Sequence, residues 1–229
     1  MNQAIPAGFL VRLHRGVSVG LAHWRGRLWR AIAPLLCCGS ACAGVVTVNV
    51  TDDAGKPLAQ AVVSIEPISG KLAVQPSPVV QVAQVKRQFV PRVSVVTVGT
   101  PVAFPNQDTV RHHVYSFSPT KNFELKLYAG IPADPVVFDK PGIAVIGCNI
   151  HDQMAAWIAV VDTPFHAITG ADGSAKINVS TAGSYRLKVW HPGLPGTADG
   201  ISQPLTVGAA NAEKAVRLEI IANPLVPQP

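Results

Sequence analysis

The chain reads as an all-β protein. Short runs rich in Val and Ile recur along it, many alternating apolar with polar residues as half-buried strands do. Turn-forming residues bound those runs, and the 19 Gly and 20 Pro among 229 residues break up any long helical pattern.

Taken in order, residues 45–50 form a Val-rich strand, Asp52 to Pro57 a turn, and residues 61–65 the next strand. Residues 66–88 hold Pro67, Pro76 and Pro78 and read as a linker or irregular loop. A strand ends near Phe104, a polar turn follows, and a new strand begins near His112. Residues 143–146 and 157–161 are apolar, rich in β-branched side chains, and read as buried strands. Ala171-Asp172-Gly173 is a turn, and strands are expected at 175–179, 183–190, 205–207 and 215–220. Residues 223–229 read as a disordered tail.

The first 43 residues carry Arg12, Arg15, Arg25, Arg27 and Arg30, no acidic residue, a short apolar run, and Ala41-Cys42-Ala43 before Gly44. This is the pattern of a secretory signal peptide of the Sec type and implies a periplasmic location. Without these residues the net charge falls from +6 to +1, so no basic patch for nucleic acid is implied. No later run of 18 apolar residues would span a membrane. Of the four cysteines only Cys148 remains after residue 43. A lone thiol in an oxidising compartment needs protection, and metal ligation provides it.

The chemistry concentrates in Gly147-Cys148-Asn149-Ile150-His151-Asp152-Gln153-Met154. It offers a thiolate, an imidazole and a thioether at three-residue steps, in a loop between two expected strands. His112 and His113 lie upstream at the start of another. Two His nitrogens, one Cys sulfur and a weak long Met bond make up a blue-copper electron-transfer site. Each residue alone has a duller reading: a lone Cys or Met is usually core filler. Their joint spacing is what points to a metal. Neighbouring strand residues face opposite ways, so only one of the two histidines can be a ligand.

The segment around residues 75–162 resembles the cupredoxins (plastocyanin, pseudoazurin and amicyanin), and further a cupredoxin-type protein associated with methylamine utilisation. Asn106 followed six residues later by His112 matches the family's N-x5-H, and C-x2-H-x2-M matches the short amicyanin loop. Gln88-Phe89-Val90-Pro91 and Val98 to Val102 resemble the family's opening strands. The resemblance implies one type 1 copper held by His112, Cys148, His151 and Met154. Asn106 would tie the two ligand loops together through its amide, and His113 would lie on the other face, exposed near the copper edge. Ile150 stands where the family has Pro, which leaves one more N–H to hydrogen-bond the sulfur.

The flanking pieces resemble a carboxypeptidase-regulatory-like (transthyretin-like) sandwich, on the pattern from Val48 to Val63 and on Gly183-Ser184-Tyr185-Arg186-Leu187. The expected fold is thus a cupredoxin Greek-key β-sandwich, residues 73–162, inserted into a second small β-sandwich built from residues 44–72 and 163–222. The alternative is two sequential domains, 44–162 and 163–222. His166 and His191 lack companions for a second metal site and are read as structural.

The function expected is a periplasmic one-electron carrier, monomeric and not an enzyme, exchanging electrons with a dehydrogenase or a cytochrome c. The resemblance to amicyanin implies an amine dehydrogenase as donor. Electrons would pass through the His151 edge, with Ile150 and Ala155 as an apolar docking patch. A copper-trafficking protein and a carbohydrate- or protein-binding module are the alternatives. Copper oxidases need further His-x-His clusters, and a dinuclear site needs two cysteines; the sequence after residue 43 has neither.

Overall fold

A computed structural model describes residues 44–221, apart from residue 133 and residues 196–198. The expected signal peptide at 1–43 and the tail at 223–229 lie outside the described residues. Those residues form β-strands and connecting turns, with no helix among them.

The described residues open with β1 (Gly44–Thr51) and β2 (Val62–Pro67). Along β1 the alternation of the sequence becomes an alternation of burial, with Val46, Val48 and Val50 turned inward. Next come β3 (Val80–Gln81), β4 (Ala83–Val85), β5 (Gln88–Val90), β6 (Val93–Thr97), β7 (Thr100–Ala103), β8 (His112–Ser118) and β9 (Lys121–Tyr128). These are followed by β10 (Val136–Phe138), β11 (Gly142–Gly147) and β12 (Ala155–Val161). The chain closes with β13 (His166–Ile168), β14 (Ser174–Val179), β15 (Gly183–Trp190), β16 (Ile201–Val207) and β17 (Ala212–Arg217).

The strands gather into two sandwiches. In the first, a sheet of order β14-β1-β17 faces one of order β13-β2-β15-β16. Val48, Ile65, Leu187 and Leu205 fill the space between them. Burying each such side chain stabilises the fold by about 1.5–3 kcal/mol.

The second sandwich holds a five-stranded sheet of order β6-β12-β11-β8-β9, a smaller sheet of order β10-β7-β3, and the β4-β5 hairpin. Its core contains Phe89, Phe104, Phe138, Ile146 and Ile158, and also Cys148 and Met154. β12 is buried along its whole length, which accounts for its unbroken apolar sequence. A third apolar cluster, with Val62, Trp157 and Ala159 at its centre, stitches the two sandwiches together.

Three expectations need correction. Residues 66–88 are not a plain linker: β2 runs on to Pro67, and β3 and β4 lie within the stretch. Val82 and Gln84 there are fully buried and bond back to Ala103 and Pro105, so pairing overrides the Pro-rich composition. The last strand among the described residues is β17, which runs Ala212–Arg217 rather than 215–220. Ala155 is buried in the seam cluster and forms no docking patch.

Candidate metal centre

His112, Cys148 and His151 come together, with one potential ligand atom from each all within 4.8 Å of one another. His112 opens β8, where a register shift in the β8-β9 pairing falls between His112 and Val114. Such an irregularity re-aims side chains at a sheet end, and here His112, His113 and Val114 are all buried in succession. Cys148 follows β11 directly. The loop to β12 closes with the Met154 N–H donating to the His151 carbonyl at 2.9 Å. Gly147 sits against the ring of Tyr115; a Cβ there would meet ring carbon Cζ at 2.9 Å. Glycine lets the strand bring Cys148 in at that angle.

The two imidazoles present the same atom to the sulfur. Cys148 Sγ lies 3.9 Å from His112 Nδ1 and 3.9 Å from His151 Nδ1. Metal bonds of about 2.3 Å to sulfur and about 2.05 Å to nitrogen, opened to ~120–130°, separate S and N by about 3.8–3.9 Å. The gaps therefore match a shared ion. His112 and Cys148 are buried and His151 is half-buried. Met154 is buried in the same cluster as Cys148 and lines the same hollow. This donor set of two imidazoles, a thiol and a neighbouring thioether suits copper. The Ile150 N–H makes no hydrogen bond to the sulfur among the described residues, contrary to expectation.

Asp108 was not singled out in the sequence. Its Oδ2 lies 2.8 Å from His112 Nε2. That bond places the ring proton on Nε2 and leaves the Nδ1 lone pair facing Cys148, an orienting arrangement common behind metal-bound histidines. The same carboxylate accepts the Lys86 N–H at 2.6 Å and the Arg87 N–H at 2.8 Å. Both residues have positive φ, 52° and 58°, at the tip of the β4-β5 hairpin. Such backbone costs about 1 kcal/mol or more per residue, and the two amide bonds to Asp108 help hold it. Burial pushes the Asp108 carboxyl upward, but the Arg87 amide, the His112 ring and the Lys86 amide outweigh it and hold it below the usual carboxylate range. The signal available in the sequence was an acid four residues before the first ligand.

Replacing Asp108 with Asn keeps the shape and removes the charge. Metal affinity should fall by about 10–100-fold, measured by competition with a chelator. The sign of the pH effect follows from the lowered carboxyl. Its contribution to stability is full above the unfolded-state pKa near 3.9 and is lost as pH falls through the folded value. The Asn variant should lack that part of the acid-unfolding profile.

Asn106 braces its own loop. Its Nδ2 donates to the Val110 and Tyr128 carbonyls, both at 2.9 Å, and its Oδ1 accepts the Asp108 N–H at 2.9 Å. These bonds tie the loop before His112 to the end of β9 rather than to the Cys148 loop. Tyr128 stands opposite His112 in register. Its hydroxyl donates to the Phe104 carbonyl and accepts from Gln84. Burial pushes the phenol up to about 12; the Gln84 bond works the other way and the nearby Cys148 adds to the rise.

His113 is not exposed near the site edge. It is 6% exposed, and its Nε2 lies 2.9 Å from Glu124 Oε1. Its ring lies 5.4 Å from that of Tyr115, tilted 35° to it. His191 is buried and accepts the Gly193 N–H at 2.9 Å on Nδ1, a structural role. Burial lowers the pKa of both His191 and His166.

No protein-family model matches the chain, and no curated protein matches it. Among solved structures, it is similar to a copper-containing nitrite reductase from Thermus scotoductus at 27% identity and TM-score 0.35, covering 52% of this chain and 28% of that one. The chain thus spans little more than a quarter of the reductase's length. It is similar to a purple cupredoxin from Nitrosopumilus maritimus at 20% identity and TM-score 0.32, covering 36% of this chain and 99% of that one. An amicyanin in its reduced Cu(I) form matches at 17% identity and TM-score 0.33, with 38% and 92% covered. At these scores the likenesses carry no statement about this chain's chemistry, which rests on its own residues.

Proposed function

We propose that the chain is a periplasmic protein with one type 1 copper, carrying one electron at a time. The observation that supports this is the convergence of two imidazole Nδ1 atoms on one buried thiol, each 3.9 Å away. Copper held by His112, Cys148 and His151, with Met154 as the weak fourth donor, would supply a one-electron couple. The residues do the rest. Asp108 fixes the His112 ring, so that ligand does not reorient. Burial of Cys148 and Met154 keeps water off the sulfur and holds the donors in place through a change of charge. His151 is half-buried, so its ring edge is the route to the surface, beside Ile150, which is 47% exposed. A small apolar rim of this kind suits brief encounters with a redox partner.

The proposal extends to a dehydrogenase, in the first place an amine dehydrogenase, as donor and a cytochrome c as acceptor, following the resemblance of the ligand loop. It takes residues 1–43 as the export signal and the flanking strands as a separate sandwich interrupted by the copper-holding one.

Met154→Gln tests the reading. A stronger oxygen donor favours Cu(II), so the variant should retain copper while its reduction potential falls, measured by voltammetry of the loaded protein. Wild-type protein should give a reversible couple. Copper that leaves on reduction would instead indicate a trafficking protein.

A further inference from the structure

Gln84 is fully buried in strand β4, and its Oε1 has no hydrogen-bond partner among the described residues. A buried carbonyl oxygen left unpaired weakens the fold, and such a group in a native protein needs a reason. Methionine, unbranched and of similar length, would fill the space without that cost. The amide nitrogen supplies the reason. Nε2 donates to the Phe104 carbonyl at 3.1 Å and to the Tyr128 hydroxyl, which itself donates to the same carbonyl. The three groups close a triangle.

This triangle stands behind the His112 side of the metal centre. The Gln84 main chain runs beside Asn106: its N–H donates to the Pro105 carbonyl at 2.9 Å, and its carbonyl accepts the Gln107 N–H at 3.0 Å. Those bonds need no particular side chain. The side chain adds Tyr128, which stands opposite His112 across the shifted β8-β9 register and whose carbonyl accepts from Asn106 at 2.9 Å. Two residues after Gln84, the Lys86 and Arg87 N–H groups hold the Asp108 carboxylate. One hairpin thus grips both ends of the loop 104–108. We infer that Gln84 is a positioning residue for the metal centre: its amide locks Tyr128 to Phe104, fixes that loop against the end of β9, and so keeps Asp108 on His112 Nε2. It acts through Tyr128 and Asp108. The inference deepens the copper reading, but the orientation of the His112 ring exists without a metal and can be measured without one.

Proton–nitrogen correlation spectra of the histidine rings, recorded on metal-free full-length protein at one fixed pH, test it. Wild-type His112 should show a single form protonated on Nε2, as its bond to Asp108 requires. Gln84→Met removes the amide and leaves Tyr128 donating to Phe104, so no member of the triangle loses its last partner. In this variant His112 should become a mixture of the two ring tautomers, while His191 in the first sandwich stays unchanged. Cu(II) affinity, by chelator competition, should fall about tenfold, the lower end of what partners of metal-bound histidines cost. Tyr128→Phe takes away the hydroxyl that the amide meets. It should move both readings the same way, and the double variant should lose no more than either single one. It also carries the test if Gln84→Met does not fold. An unchanged single form of His112 in the variants, His191 altered alongside His112, undiminished Cu(II) affinity of the variants, or additive losses would overturn the inference. Wild-type protein that takes up no Cu(II) would sink the copper reading instead, and the metal-free spectra would still decide the role of Gln84.

Discussion

Cys148→Ser should abolish the intense visible absorption expected of the Cu(II)-loaded protein. That absorption belongs to a thiolate–copper bond, and Cys148 is the one cysteine among the described residues. The substitution is nearly isosteric, and the site is buried at the end of β11, so the fold should survive. Copper affinity should drop by more than the 10–100-fold that loss of an outer partner such as Asp108 costs, because a direct donor is gone. Absorption spectroscopy and chelator competition on the same samples read both effects. A serine variant with undiminished colour would end the assignment of the metal centre, whatever its affinity.

Leu187→Ala destabilises the protein by about 2–5 kcal/mol and leaves the colour of the loaded protein unchanged under native conditions. Leu187 is fully buried in the first sandwich and stands opposite Ile65 in register. Valine and leucine side chains from both sheets surround it, so truncation leaves a cavity that the sheets cannot close. The metal centre belongs to the other core, so its donors should not move. Urea unfolding followed by circular dichroism measures the loss. A cost below ~1 kcal/mol would show that the space refills, and loss of colour would show that the two cores are not independent of one another.

Much of the fold was legible because its strands announce themselves. β1 and β15 alternate cleanly, and β12 is apolar throughout, so period and burial agree with local sequence. β9 was harder to read. Phe123, Leu125 and Leu127 alternate with Asn122, Glu124 and Lys126, but the strand is short of β-branched residues and its inward side chains are only half-buried. It is a sheet-edge strand, paired with β8 alone, with Phe123, Leu125 and Tyr128 packed on the margin of the second core. Of the centre, the spacing of Cys148, His151 and Met154 was visible because all three sit in one short loop. Asp108 was not, because its role depends on a hairpin tip more than twenty residues away in sequence, at Lys86 and Arg87. The burial of His113 likewise depends on the shifted register opposite it.

The pairing of β1 with both β14 and β17 bears on how the chain is assembled. During synthesis β1 waits for its neighbours until residues 174–217 have emerged. The intervening strands pair among themselves and can condense earlier. Their condensation shortens the wait in entropic terms, because Ser64 and His166, about a hundred residues apart along the chain, pair directly. Closing a pre-folded insert costs far less than closing a random coil of that length. Mutations that slow the inner condensation should therefore delay completion of the outer body, even where they touch none of its contacts.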